Sequence, residues 1–592
     1  MNQPFLILTA LEDFWPNLGP AVFLGEWCRR PSRRHVWKWF GDTVVGSPLT
    51  DQAEIRQAHA YCDVSYEAVL ADLSTVLNAL NGTSRPVRFW RTFLGPWLWH
   101  FIPACYDRYL CLRKARVLHP EAIAIGLSRE SFETPRTTAE AVTWLKENEL
   151  YTLQIYSELL SLMNAPLEAR PKLRSPPPAS RRFKFTGALR NFLFRTALGA
   201  VAKHWRYVAV KDSFFGNRAL IRVFLRTGGS VLPLPHWDSS PSRGVSNQEQ
   251  RSRFRKAWSK DPPPDDVFWG LLREMVVAHL PTSFLEEYPR VSREWPFRPP
   301  KAILFATGYW SDDGFKHWTA TCREMGTQLL CTSHGGDYGA SLFLPGERHE
   351  LKVSDVYYSW GWTCDTEAGD ARVVPMPAPR LVGRRVLGAR GDREGILLAT
   401  TSFPRYLYRL NNWTHHDFHG YLEWAFQFAE SLDEETRRAL RVRLYPKDYG
   451  WDIADRWKAR CPSVILETAS RSFLDSLDHC RLYVGDHLST TFAEALSADK
   501  PTLLFWDPQR EQLRSTAKDA FGSLERVRVL HHSPVAAAAA ACQAYADVVS
   551  YWTDPARQAA VRAFCQRFAR TSADATGAWS RELTSFLRRA NR

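Results

Sequence analysis

Spacing of the kind that binds structural zinc is missing from this 592-residue sequence. Its 11 cysteines form no CxxC pair and no CxxC…HxxxH array, which argues against a finger- or ribbon-type zinc module. An odd count in so long a chain fits a reducing compartment better than a disulfide framework. The start, Met1–Thr9, has no basic stretch ahead of its short apolar run, so no secretory signal is expected. Long hydrophobic runs are missing too. The longest near-apolar stretch, Phe93–Tyr106, is broken by His100 and two prolines and is too short to span a bilayer. These absences predict a cytoplasmic protein with no resident metal or cofactor.

What is present is ordinary globular composition: 45% hydrophobic and 24% charged residues. That excludes a disordered or fibrous chain. The length suits roughly three to four domains, or two large domains with embellishments, and 24 tryptophans allow large, stiff cores and clefts. Lys and Arg (77) exceed Asp and Glu (63) by 14. Such an excess raises the question of nucleic acid. The basic residues are spread, however, with local densities at 29–34 and 181–206, and no helix-turn-helix, zinc-finger or RRM signature goes with them. No nucleic-acid partner is expected; anionic small molecules, lipid or glycan account for the charge equally well.

Apolar runs at Phe5–Ala10 and Ala21–Gly25 have strand length and open an α/β pattern. Helical spacing follows at 55–80, 89–112 and 139–162, so the N-terminal half is expected to carry helical insertions over about 55–295. The segment 171–182, with four prolines and four basic residues, reads as an exposed connection. Residues 181–206 hold seven Lys or Arg among aromatic and aliphatic positions. This is either a surface helix with a solvated basic face or an interfacial helix on anionic lipid at the inner face of the cell membrane. Residues 238–265 read as a loop. From 301 strands and helices alternate, with strands at 302–307, 328–332 and 353–360. An arginine-rich stretch, 380–393, then separates a second series with strands at 395–401, 442–445, 464–467, 482–485, 502–505 and 527–530. The expected architecture is α/β, two Rossmann-like domains facing a cleft, spanning 1–380 and 394–555, with 556–592 as a helix crossing back.

Open parallel sheets bind ligands where strands exit toward helix N-termini. After 482–485 comes Asp486-His487-Leu488-Ser489-Thr490-Thr491, then a helix carrying Glu494. Hydroxyls at a helix start suit a phosphate, and a plain helix cap is the alternative. Tyr445-Pro446-Lys447 puts a cation and a rigid turn at another exit. Ser402 and Arg405 offer hydroxyl and cation at a third. In the first half, Asp312-Asp313-Gly314 sits in a loop after a strand, where two adjacent acids serve as base, nucleophile or metal ligand, or simply cap the next helix. His334-Gly335-Gly336 ends the next strand, with glycines that allow close backbone approach and an anion nest. Glu12 follows the first strand as a candidate cleft carboxylate. Arg29 and Arg33, after the second, could hold an anionic acceptor or form a solvated surface cluster.

LTALEDFW with FLGEWCR near the start, RFWRTFLGPWL at 88–98, SHGGDYG at 333–339 and DHLSTTFAEAL at 486–496 together resemble a family of transferases from bacterial surface-polysaccharide gene clusters. More distantly the pattern is similar to CMP-sugar-dependent GT-B glycosyltransferases, the bacterial sialyltransferases and β-Kdo transferases. That resemblance implies a GT-B fold. Their acid–acid–Gly motif would correspond to Asp312-Asp313-Gly314, and their hydroxyl pair for the CMP phosphate to Ser489 and Thr490. Their His-Pro motif falls on Tyr445-Pro446, with Tyr replacing His, which leaves the donor nucleotide open. The resulting expectation is a glycosyltransferase moving a sugar, possibly acidic, from a nucleotide-sugar donor to a surface glycan or lipid-linked glycan. In it Asp313 is the catalytic carboxylate, helped by Asp312, His334 and Glu12. Donor contacts come from Ser489, Thr490, Thr491, His487, Glu494, Tyr445, Pro446, Lys447, Ser402 and Arg405, and acceptor contacts from Arg29, Arg33, Gly335 and Gly336. Helix amides and cations would stabilise the leaving phosphate without metal. A teichoic-acid-type polyol-phosphate transferase and a non-catalytic assembly scaffold are the alternatives.

Overall fold

The computed structural model describes residues 3–172, 207–234, 244–258, 266–292, 299–363, 371–383, 386–390, 392–393, 395–467 and 471–589. The basic segment 181–206 lies outside these residues, as does most of 171–182. Within 238–265, where a loop is expected, Gln248–Ala257 is a helix capped by the Asn247 side chain. Among the described residues no helix is long and apolar enough to cross a membrane.

Three parallel sheets organise the chain. The first has four strands, β1 (Phe5–Ile7), β2 (Ala21–Phe23), β3 (Ile123–Leu127) and β4 (Leu167–Arg170), in the order β2-β1-β3-β4. Its last two strands fall inside the stretch expected to be helical insertions. The helices there are real and long: Gln52–Asn81, opened by an Asp51–Glu54 capping box, and Val87–Leu118, with Pro96 and Pro103 buried inside it. The single helix expected over 139–162 is two, Thr138–Glu147 and Glu149–Leu162. They break at Asn148, whose extended backbone ends one and whose side chain caps the next.

The second sheet contains β5 (Val208–Lys211), β6 (Val231–Pro233), β7 (Ala302–Phe305), β8 (Gln328–Thr332), β9 (Val356–Ser359) and β10 (Arg372–Pro375), ordered β10-β9-β8-β7-β5-β6. The third contains β11 (Ile396–Ala399), β12 (Leu440–Arg443), β13 (Ile465–Glu467), β14 (Leu482–Gly485), β15 (Thr502–Phe505) and β16 (Leu530–His531), ordered β13-β12-β11-β14-β15-β16. Counted within that sheet the order is 3-2-1-4-5-6, the doubly wound order. Every pairing in these sheets is parallel, and β11, β7 and β14 are buried throughout, as strands covered by helices on both faces must be.

One apolar cluster runs unbroken from the second sheet (Ile303, Phe305, Leu329) into the third (Leu397, Tyr483, Leu504), through Tyr338, Leu488 and Phe492. The two Rossmann-like sheets thus share a floor beneath their facing strand exits. The segment expected to cross back from 556 onward is two helices. Pro555–Phe568 joins the shared cluster. Ala575–Arg589 lies on the second sheet, where Trp579 packs with Val208 and Leu304 and donates to the Pro377 carbonyl at 2.8 Å.

Candidate functional site

In an open α/β sheet the ligand crevice lies where strand order reverses. In the second sheet that point is between β5 and β7. In the third it is between β11 and β14. At the β5 exit, Asp212 and Phe214 both hold left-handed backbone (φ 47° and 62°), a conformation that costs energy in non-glycine residues and concentrates at functional sites. The turn lifts Phe214, 37% exposed, so that its ring stacks on His334 at 5.7 Å, with the Arg380 guanidinium over its other side at 5.5 Å.

His334 leaves the end of β8, and its orientation is fixed from behind. Nε2 lies 3.0 Å from Glu350 Oε1 and 2.7 Å from the Tyr338 hydroxyl. Glu350, fully buried, also accepts from Tyr338 at 3.0 Å and from Tyr357 at 3.0 Å. A proton on Nε2, donated to Glu350, leaves Nδ1 with a lone pair, and Nδ1 has no hydrogen bond among the described residues. This is the nitrogen–carboxylate arrangement of a general base. Glu347, one turn earlier on the helix Pro345–Val353, is buried as well. It accepts from Gly339 N at 2.5 Å and pairs at 2.5 Å with Arg514, which precedes the helix Ser515–Arg526. Burial pushes the Glu347 carboxyl up, against the pull of Arg514.

The histidine loop and the β14 exit touch. A Cβ on Gly336 would stand 2.2 Å from the Ser489 carbonyl oxygen, so only glycine fits. Neither Gly335 nor Gly336 holds a positive φ; the requirement is close approach. Across the contact begins the helix Thr490–Ser497, whose first-turn amides receive no cap from Ser489. The Ser489 hydroxyl lies instead 2.8 Å from that of Thr491, which accepts from Tyr483 at 2.9 Å. An uncapped helix start bordered by hydroxyls is suited to phosphate oxygens. His487 pairs with Asp486 at 2.7 Å, and Asp486 accepts from Tyr421 at 2.7 Å. Behind this loop Glu511 accepts from Leu488 N and Trp413 Nε1, both at 3.2 Å, and burial pushes its carboxyl up to about 7. Glu494, 3% exposed, pairs with Arg380 at 2.9 Å, which closes the circuit to Phe214 and His334.

A second group of basic residues gathers on two tyrosine rings. Arg409 and Lys146 sit over the Tyr408 ring at 5.2 and 4.7 Å, and Lys447 lies over Tyr449 at 5.4 Å while pairing with Glu147. Burial and the neighbouring Arg409 lower Lys146 to about 8. Tyr445, 45% exposed, and the exposed Pro446 form the rim.

Other expected site residues are held elsewhere. Asp312 Oδ1 caps the helix Asp313–Glu324 by accepting from Phe315 N at 2.9 Å, and its Oδ2 pairs with Lys211 at 2.7 Å. Asp313, expected to face the cleft, is 4% exposed. Its carboxylate takes Thr138 N at 3.0 Å, Ser283 Oγ at 2.7 Å and Lys316 Nζ at 2.7 Å. At the first position of its helix it points back onto the helix Thr138–Glu147, so it ties layers together. Arg405 is buried between Glu149, the Trp27 carbonyl and the Tyr449 carbonyl. Ser402 donates to the Asp448 carbonyl at 3.3 Å. Glu12 and Arg33 satisfy one another through two contacts of 2.5 and 2.6 Å, and Arg29 pairs with Glu26 at 2.5 Å. The sequence reading passed over Glu350, Glu347, Phe214, Arg380, Arg409 and Lys146. A Glu-x-x-Glu pair on a short helix after a His-Gly strand exit is the signal that points to the first two.

A family model described as LIC12162 family transferase matches residues 4–583. None of the curated proteins compared with the chain matches it. Among solved structures, S. aureus MnaA with UDP aligns over 65% of this chain and 97% of its own, with 11% identity and a TM-score of 0.36. Acinetobacter baumannii MurG aligns over 64% and 100%, with 10% identity and a TM-score of 0.30. The wall teichoic acid polymerase TagF aligns over 69% and 98%, with 11% identity and a TM-score of 0.30.

Proposed function

Since the chain belongs to the LIC12162 family of transferases, we propose that it moves a sugar from a nucleotide-activated donor to a hydroxyl of a glycan or lipid-linked glycan, with His334 as general base. One juxtaposition carries the reading: the Glu350-backed His334 at the exit of β8 touches, through Gly336, the uncapped helix start at Thr490. On this reading base and anion cradle face the reacting carbon from either side of the Gly336–Ser489 contact, as displacement at a sugar carbon requires. The acceptor hydroxyl approaches Nδ1 and gives up its proton as its oxygen attacks the anomeric carbon. Glu350 stabilises the imidazolium that forms. The bond from that carbon to the donor phosphate oxygen breaks, and the departing phosphate is met by the amides at 490–492, the hydroxyls of Ser489 and Thr490, and the positive field of Arg409 and Lys146. Phe214 offers a ring on which the sugar or base can lie. His487 and Glu494 act as supports of the cradle, through Asp486 and Arg380.

Polyol-phosphate transfer fits the same lone pair and cradle, and the bond formed in the product separates the two. Nucleotide release is the assay, with UDP-, GDP-, CDP- and CMP-linked donors in the presence of lipid-linked glycan. Release with one donor class, and a glycosidic bond in the product by mass spectrometry, is the expected outcome. A phosphodiester product selects polyol-phosphate transfer. Absence of nucleotide binding across the panel contradicts both enzymatic readings and leaves the scaffold.

A further inference from the structure

We propose that Asp107, His415 and His416 form a binding site for a zinc-class divalent cation, one that pins the helix layer of the first sheet to the third sheet. Asp107 projects from the middle of the helix Val87–Leu118. The two histidines sit on the one-turn helix His415–Asp417, held by a Thr414–Asp417 capping box. One ligand atom from each of the three residues lies within 4.8 Å of the other two. Asp107 Oδ1 and His416 Nε2 are 3.0 Å apart, close to the edge of about 3.3 Å expected between ligands around tetrahedral zinc with bonds of about 2.0 Å.

The independent pointer to a ligand is His415. Its ring is 3% exposed, lies 3.9 Å from the His416 ring, and among the described residues has no hydrogen-bond partner on either Nδ1 or Nε2. A neutral imidazole buried with both nitrogens unsatisfied is costly, and a bound cation relieves that cost while leaving one nitrogen as the ligand. The Trp27 ring packs against the group at 5.1 Å from His415 and 5.3 Å from His416. Two imidazoles and a carboxylate are a donor set for zinc and its neighbours, with water in a fourth position. Arg108, the next residue on the helix, donates to the Ala104 and Leu407 carbonyls at 2.7 and 2.9 Å and to Thr152 at 3.3 Å, so its NH groups are engaged with other partners than the three donors. Spacing rules for zinc motifs miss the group because Asp107 lies more than 300 positions before the two adjacent histidines.

Full-length protein is stripped with a chelator, dialysed against Zn²⁺, and measured for metal content and thermal midpoint. One tightly held equivalent of zinc is expected, with a midpoint several degrees above the stripped protein. His415→Ala should lose both the zinc and the shift. Stripped parent protein loaded with Co²⁺ reads the ligand set without any substitution, and intense visible bands of a four-coordinate site are expected. No stoichiometric zinc in the parent, full zinc retention by a folded His415→Ala, or a weak six-coordinate cobalt spectrum would each overturn the site. The group would then be a buried hydrogen-bond cluster only.

Discussion

Glu511 shows how one buried side chain sets a pH dependence. Its folded-state pKa of about 7, against an ordinary 4.5, comes first from burial behind the 486–491 loop. Below 4.5 the group is protonated in both folded and unfolded chains, and its contribution to stability is fully present. As pH rises from 4.5 through 7 the unfolded chain loses its proton first, so stability falls by up to roughly 3 kcal/mol. Chemical denaturation at pH 5 and pH 8 should show that loss in the parent. Glu511→Gln, which keeps acceptors for Leu488 N and Trp413 Nε1, should flatten it; an unchanged slope in the variant would assign the dependence elsewhere. At this scale the sequence was a partial guide. His334 and Ser489 announce themselves because a strand exit followed by Gly-Gly or by hydroxyls is a local pattern. Glu350 and Glu511 do not, since nothing local distinguishes a buried glutamate from a solvated one. Asp313 misleads for the same reason. Two acids before a glycine look like a site, and only tertiary packing shows that Lys316, Ser283 and Thr138 N occupy the second of them.

Helix starts offer the sharpest comparison among elements. Asp51 caps the helix Gln52–Asn81 by accepting from Ala53 N at 2.8 Å and Glu54 N at 2.9 Å, whereas Ser489 gives no such bond to the helix Thr490–Ser497. Asp51→Ala should therefore destabilise by about 1 kcal/mol. Ser489→Ala should stay within about 0.5 kcal/mol of the parent yet weaken nucleotide binding about tenfold, which is about 1.4 kcal/mol. Urea unfolding and calorimetric titration check the two arms. A stability loss at Ser489 equal to that at Asp51, with affinity intact, would make it an ordinary cap. β11, β14 and β15 were legible as apolar runs between turns because they are buried along their whole length. β3, β4, β5, β6 and β10 were not. In sequence β3 and β4 stand among long helices whose periodicity dominates the reading.

For the whole molecule, the unforeseen feature is the four-stranded first sheet and its ties to the third. Arg405, 7% exposed, binds Glu149, to which Thr9 also donates at 2.9 Å, and Arg30 pairs with Asp452 at 2.9 Å. Glu149→Ala leaves a buried guanidinium uncompensated and should cost about 3–5 kcal/mol, read as a lower urea midpoint. A cost below 1 kcal/mol would show the tie to be solvated. Such ties between positions far apart in sequence have no local signature, so the sequence shows two Rossmann-like sheets and conceals what clamps the first sheet onto them. On the proposed mechanism this layer matters because base and cradle come from the second and third sheets, and it reaches the second through Thr138 N and Asp313 as well as the third through Glu149 and Arg405. The most direct measurement is nucleotide release by His334→Gln beside the parent, at saturating donor and acceptor, with donor affinity measured in parallel. Release should fall by about 10²–10⁴-fold with donor affinity unchanged; turnover near that of the parent would contradict the assignment of His334 as the base.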